Sequence, residues 1–283
     1  MTFRTRFAPS PTGPLHLGHA YSALIAHDLA RSKNGKFFLR LDDIDQTRSR
    51  AHWADQITSD LSWLGITWDG PIWSQNTRSK AYSKALHRLW DMGLLYPCTC
   101  SRADIKVAAS APQEGAAISG PDGIIYPGTC RGVPKSAFQT NAALRINIKK
   151  ALQHIETEDI KFFENDELYH QSDTQMIATI GDVVLARKNM DTSYHLSIVV
   201  DDAEQGITDV IRGEDLREAT YIHVLLQKLL GLRTPNYIHH RLIRDENAKR
   251  LAKRDDARAI SKFREDGLTR QDIYALVGLK PRT

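Results

Sequence analysis

The sequence predicts an α/β fold built on a doubly wound parallel sheet. Residues 1–95 alternate between short β-rich runs and stretches with apolar residues at helical spacing. A turn-rich, cysteine-bearing stretch then interrupts the alternation, and strand-like and helix-like runs return after residue 180. Such alternation places parallel strands side by side with helices over their faces. Four parts are expected: a first half of the sheet over 1–95, an insertion over 96–180, the second half over 181–232, and a smaller, largely helical part over 233–283.

Residues 3–7 of MTFRTRF read as a buried strand. AYSALIAHDLARSKNG reads as a helix with Gly35 as its stop. KFFLRLDDID is a second strand that ends in acids. Trp53, Ile57, Leu61 and Leu64, then Leu86, Leu89 and Trp90, recur at helical spacing and predict helices over 50–64 and 79–92. Residues 98–130 hold every cysteine of the chain and the polar loop SAPQEGAAISGPDG, and 143–170 read as short strands and turns. SYHLSIVVDD reads as a strand, EDLREATYIHVLLQKLLG as a helix, and YIHHRLI as a short strand. A charged loop, RDENAKRLAKRDDARAIS, precedes a final helical segment.

Composition narrows the class. At 283 residues, 41% hydrophobic and 25% charged, the chain is long enough for a sizeable core. No stretch approaches the roughly 18 apolar residues of a membrane span, and the N-terminus lacks a signal-peptide core. Three cysteines, an odd number, argue against a disulfide framework. A cytoplasmic protein is expected, and a monomer, since no obvious dimer helix stands out. The net charge of +4 permits a polyanionic partner without demanding one.

RFAPSPTGPLHLGHA, residues 6–20, follows the first strand. In an open parallel sheet that places it where ligands bind, beyond the strands' carboxyl ends. Pro9, Pro11 and Pro14 stiffen it, Gly13 allows a tight turn, and Gly18 leaves room for a flat ring or a phosphate to approach the backbone. His16 and His19, three apart, face the same way at a helix start, where free N–H groups and the helix dipole favour an anion. The pattern suits a nucleoside triphosphate attacked at one phosphate.

The string A-P-S-P-T-G-x-L-H-x-G-H resembles the HIGH signature of class I aminoacyl-tRNA synthetases, in the form used by the glutamyl group. Those enzymes carry a second, KMSKS-type signature, and RLAKR, residues 250–254, resembles it. The resemblance implies a Rossmann-like catalytic domain that binds ATP with Mg2+ through Pro9, His16, Gly18, His19, Arg250, Leu251 and Lys253. His16, His19 and Lys253 would stabilise transition-state charge on the phosphates. Two departures stand out: Arg250 replaces the usual first lysine, and Ala252 the usual serine.

The resemblance also implies a glutamate site. Arg6, Ala8 and Ser10 match family positions in the opening loop. SYHLSIVVDDAEQGITDVIRGEDL resembles the other pocket segment and supplies Tyr194 and Arg212. Two arginines suit a substrate with two carboxylates. LRLDDIDQTR resembles the family's LRIEDTDxxR, so the acid for the substrate ammonium becomes Asp42, one methylene shorter. Asp43 and Asp45 are expected to cap the next helix or pair with Arg48, and Asp201 and Asp202 to be structural.

Cys98, Cys100 and Cys130 read alone are equally compatible with a metal site and with unrelated free thiols. A related, shorter family binds zinc through CxC…YxxxC, and Cys98, Cys100, Tyr126 and Cys130 match that pattern, which implies a closed, structural zinc site.

Only 29 residues follow RLAKR, too few for the anticodon-binding domain of a glutamyl-tRNA synthetase. The pattern is similar to the glutamyl-Q tRNA(Asp) synthetases. These activate L-glutamate with ATP without tRNA, then transfer it to queuosine at the wobble position of tRNA(Asp). Arg241, Arg244, Lys249, Arg250 and Arg254 are candidate RNA-backbone contacts. Alternatives are a glutamyl-tRNA synthetase without its anticodon domain, another HxGH nucleotidyltransferase, and a non-catalytic tRNA-binding paralogue.

Overall fold

The structure, a computed structural model, describes residues 2–109, 119–132, 138, 142–155, 159–188, 190–244 and 258–280. In chain order they form β1 (Arg4–Phe7), α1 (Leu17–Ser32), β2 (Lys36–Leu41), α2 (Ala51–Trp63), β3 (Trp73–Ser74), α3 (Ser79–Asp91), β4 (Leu95–Cys98), α4 (Arg102–Ala109), β5 (Ser119–Gly120), β6 (Gly123–Ile124) and β7 (Ala143–Ile146). There follow α5 (Ile148–His154), β8 (Asp159–Glu164), β9 (Glu167–Ser172), α6 (Asp173–Thr179), β10 (Val184–Ala186), α7 (Tyr194–Glu204), β11 (Asp209–Gly213), α8 (Ala219–Leu229), β12 (Asn236–His240), α9 (Ile260–Glu265) and α10 (Arg270–Leu276). The chain divides into two compact units, one of Met1–Thr77, Ile207–Asp215 and Tyr237–Thr283, the other of Arg78–Gly206 and Leu216–Asn236.

The first unit holds the parallel sheet. Its strands run in the order β1–β2–β3, with Arg4 opposite Lys36 and Arg40 opposite Trp73. β11 runs beside β1: the Thr208 N–H donates to the Arg4 carbonyl at 2.9 Å, and the Arg4 N–H donates to Thr208 Oγ1 at 2.8 Å. α1 and α2 cross between the strands and bury Leu24, Ile57 and Leu61 against Phe7, Phe37, Leu39, Ile211 and Ile260. The expected stop at Gly35 is shared. Asn34 takes the left-handed conformation at φ 50°, and Gly35 is needed because a Cβ there would lie 2.5 Å from the Phe3 carbonyl.

The second unit holds an antiparallel sheet in the order β10–β7–β4, the β8–β9 hairpin, and the packed helices α3, α7 and α8. One expectation fails here. SYHLSIVVDD is not a strand; it forms most of α7. Ile198, Val199 and Val200 carry local β preference, but every residue from His195 to Asp202 is buried. A helix buried all round has no apolar stripe to read, and packing decides its form. Asp201, fully buried, accepts from Arg78 Nε at 2.6 Å and Tyr82 Oη at 2.8 Å, so it ties α3 to α7 as a structural acid.

One buried acid lacks such partners. Asp60 on α2 is fully buried, neither carboxylate oxygen accepts a hydrogen bond among the described residues, and the nearest cation is Arg264 Nη2 at 3.9 Å. Burial outweighs that distant arginine and pushes its pKa up to about 6. The folded protein therefore holds this proton more tightly than the unfolded chain. The resulting stability is full below about pH 4 and is lost as pH rises through 6. Asp60→Asn should raise unfolding free energy at pH 8 by roughly 1–3 kcal/mol and bring no gain at pH 4. Urea denaturation at the two pH values checks this; equal gains at both would contradict it.

Candidate functional site

β1 delivers the chain to a loop, residues 8–16, whose backbone is fastened from three sides. The Asp42 N–H donates to the Pro9 carbonyl, the Arg50 N–H to the Pro11 carbonyl, and the Ile260 N–H to the Leu15 carbonyl, at 3.0, 3.0 and 2.8 Å. The proline ring at 9, 11 and 14 restricts φ, so little entropy is lost when these bonds order the loop.

The loop ends in a cap made of two imidazoles. His16 is the N-cap of α1, one residue ahead of the first turn. Its Nδ1 accepts from the Gly18 N–H at 3.1 Å, while its own N–H donates to Nδ1 of His19 at 3.2 Å. This is a capping box with histidines at both positions. The rings lie 3.8 Å apart, centroid to centroid. Because each Nδ1 is an acceptor, each neutral ring carries its proton on Nε2, and an imidazole N–H is a donor of the kind phosphate oxygens accept. The flat ring over Gly18 is therefore the chain's own: a Cβ there would lie 3.0 Å from His16 Cε1.

Arg6 on β1 and Arg212 on β11 are both buried, at 4% and 5% exposure. Asp42, just past β2, accepts from Ser10 Oγ at 3.1 Å, which joins two of the sequence-derived glutamate residues. Ala8 sits half-buried between β1 and Pro9. Tyr194 belongs to the other unit, where it opens α7 edge-on to His195 and His223. Arg250, Leu251 and Lys253, with Lys249 and Arg254, lie outside the described residues.

Several residues depart from expectation. Asp43 neither caps α2 nor pairs with Arg48. It is buried and accepts from Ser74 Oγ and from the backbone and side-chain nitrogens of Asn76, which clamps the end of β3. Asp45 does pair with Arg48, and the Thr47 hydroxyl and that arginine hold its carboxyl below the ordinary range against some burial. Arg241 donates to the Val277 carbonyl and lies over the Tyr21 ring, which ties it to α10 and α1. Sequence reasoning missed His239: its Nε2 accepts from Arg212 Nε at 3.2 Å, and Tyr237, two residues earlier on the same strand face, lies under that guanidinium. The alternation in YIHH held that signal.

The second unit brings the four sequence-derived metal residues together. The sulfurs of Cys98, Cys100 and Cys130 lie within 4.8 Å of one another, and Tyr126 Oη is 3.5 Å from Cys98 and 3.4 Å from Cys100. Zn–S bonds of about 2.3 Å set tetrahedral sulfurs roughly 3.8 Å apart, so the donor set fits one such ion. Burial raises the Cys100 and Tyr126 protons; for Cys130, hydrogen bonds from Tyr126, the Thr99 backbone and the other thiols outweigh burial and bring it down to about 7. Around the cluster stand two cations: Arg145 lies over the Tyr126 ring at 4.0 Å, and Arg131 pairs with buried Asp182, which also accepts from Tyr96 and from the Ile148 N–H. Among the described residues no helix is long and apolar enough to cross a membrane.

Residues 2–281 match the family model of the tRNA synthetases class I (E and Q), catalytic domain. The glutamyl-Q tRNA(Asp) synthetase of Rhodobacter capsulatus is 56% identical over 278 residues, covering 97% of this chain and 99% of that protein. Its counterpart in Geobacter sulfurreducens is 39% identical over 268 residues, covering 94% of this chain and 79% of that protein. The glutamate-tRNA synthetase structure from Elizabethkingia anophelis superposes with a TM-score of 0.78 at 23% identity, a likeness of fold. That match covers 98% of this chain and 61% of the Elizabethkingia chain, so the present chain spans about three fifths of its length.

Proposed function

The chain belongs to the glutamyl-Q tRNA(Asp) synthetase family, ligases built on the class I synthetase catalytic domain, and from that premise we propose that it activates L-glutamate with ATP, without tRNA, and transfers it to queuosine in tRNA(Asp). The observation that carries glutamate is the pair of buried arginines, Arg6 and Arg212, in the same unit as the HxGH loop. Each guanidinium would take one substrate carboxylate through its planar fork, with Arg212 oriented by His239 and Tyr237. Asp42, oriented by Ser10, would take the ammonium, and Tyr194 is assigned to glutamate binding by the family resemblance alone.

In the first step an oxygen of the glutamate α-carboxylate attacks the α-phosphorus of ATP. The bond to the bridging oxygen breaks, and pyrophosphate leaves with that electron pair. The Nε2–H groups of His16 and His19 on one side, and Lys253 with Arg250 and Leu251 of the second signature on the other, would bind the nucleotide and stabilise charge where it develops. Mg2+ would accompany the ATP. In the second step a queuosine hydroxyl attacks the activated carbonyl, loses its proton to solvent, and displaces AMP. Positioning and electrostatics supply the rate.

In the second unit Cys98, Cys100, Tyr126 and Cys130 would hold one Zn2+. Four protein donors leave no open position, so the ion's role would be structural. Arg131 and Arg145 would balance the negative charge of the bound donors. The proposed setting is the cytoplasm, where thiols stay reduced.

Glutamate-dependent ATP–pyrophosphate exchange measured without tRNA should be robust, and labelled glutamate should then pass to queuosine-containing tRNA(Asp) and not to tRNA(Glu). Absence of exchange without tRNA contradicts the proposal, and charging of tRNA(Glu) alone transfers the chain to the ordinary glutamyl-tRNA synthetases. Metal analysis should find about one zinc per chain, and its removal by a chelator should lower the melting temperature. A metal-free protein with an unchanged melting temperature refutes the zinc site.

A further inference from the structure

A cavity of about 520 Å³ opens in the second unit, between the exposed face of α3 and the segment that follows β10. Its size lies in the range of ligand-binding pockets. Nothing in the proposed glutamate, ATP or zinc chemistry uses it. Lys80, Lys84 and His87 line one wall, and their spacing of four and three residues places them in one stripe of α3. Arg187 lines the same cavity, with Asp191 as the one acid in the lining.

Two features point to a ligand. Among the described residues Lys80 and Lys84 enter no hydrogen bond or ion pair through their side chains, and the charge of Arg187 bears on the Asp122 carboxylate without a hydrogen bond; each cation is exposed beside the same cavity. Charges so grouped repel one another, and an anion is the partner that relieves the repulsion. The second feature is a flat aromatic wall. Phe138 stacks on the His87 ring with centroids 4.0 Å apart at 28°, and Trp90 meets Phe138 edge-on at 5.4 Å. His87 Nδ1 lies 2.8 Å from the Ser83 carbonyl, which fixes the ring's orientation.

We propose that this cavity is a second RNA-contact site, in which Lys80, Lys84 and Arg187 bind phosphates of the tRNA substrate and the His87–Phe138 pair stacks one of its unpaired bases. Cations beside an aromatic face are the means by which proteins hold single-stranded nucleic acid, charge giving the affinity and the ring accepting any base. A small anion would need the cations without the stacked rings. The inference rests on the proposal that the substrate is a tRNA.

The test uses the full-length protein, a Lys80→Ala/Lys84→Ala/Arg187→Ala variant and, separately, His87→Ala. Binding of fluorescently labelled tRNA(Asp) is followed by anisotropy across a salt series. Glutamate-dependent pyrophosphate exchange without RNA reports on the fold and on the proposed activity. The triple variant should bind the tRNA at least about tenfold more weakly near 0.1 M salt, with the log–log salt slope reduced by about two units and exchange unchanged. His87→Ala should weaken binding about tenfold with the salt slope unchanged. Wild-type affinity and slope in the triple variant, or no binding of the tRNA by the wild-type protein, overturns the site. Loss of exchange in the wild type instead overturns the proposed activity, and the anisotropy series still decides the RNA site.

Discussion

Two backbone N–H groups at the start of α1 hold the Nδ1 atoms of His16 and His19, and the geometry of the first signature depends on that double bond. It caps the helix, brings the two tilted rings to 3.8 Å centroid to centroid and leaves the protons on Nε2. The cap in turn needs a loop that cannot drift. Three backbone hydrogen bonds, from Asp42, Arg50 and Ile260, fasten that loop to the end of β2, the start of α2 and the start of α9. The last bond, with the His16–Ala259 bridge, ties the opening loop to the start of α9 at two points. Elements far apart in sequence are thus joined by main chain, which no substitution of side chains alters directly.

The acids sort by their surroundings. Asp43, Asp182 and Asp201 are buried and each accepts from two or more donors, which satisfies the buried oxygens and makes each acid a structural tie. Asp42 is half-buried and accepts from the Ser10 hydroxyl of the opening loop. Asp60 is buried without such donors and stands as a liability between α2 and α9. Sequence spacing distinguishes none of these cases, because the donors come from residues tens to more than a hundred positions away.

Much of the parallel sheet was legible because β1, α1, β2 and α2 are amphipathic or apolar in their own periods and are separated by turn residues. α7 was not legible: burial on all sides erases the period, and its β-branched centre points the wrong way. At the site, the HxGH string marked the right helix start, yet the donor geometry was hidden, since an i, i+3 spacing does not reveal that both Nδ1 atoms are taken by backbone. The cysteine cluster was half legible. Cys98 and Cys100 announce themselves, whereas Tyr126 came only through resemblance, and Arg131, Arg145 and Asp182 approach through tertiary packing with no local pattern.

The tautomer of the two imidazoles tests this account most directly. Histidine-selective 15N labelling with long-range 1H–15N correlation, assigned by His16→Asn and His19→Asn variants, reports which ring nitrogen bears the proton at neutral pH. Both residues should show a protonated Nε2 and an unprotonated, hydrogen-bonded Nδ1. A proton on Nδ1 of either ring would contradict the imidazole cap, and with it the proposed donation from Nε2 to a triphosphate.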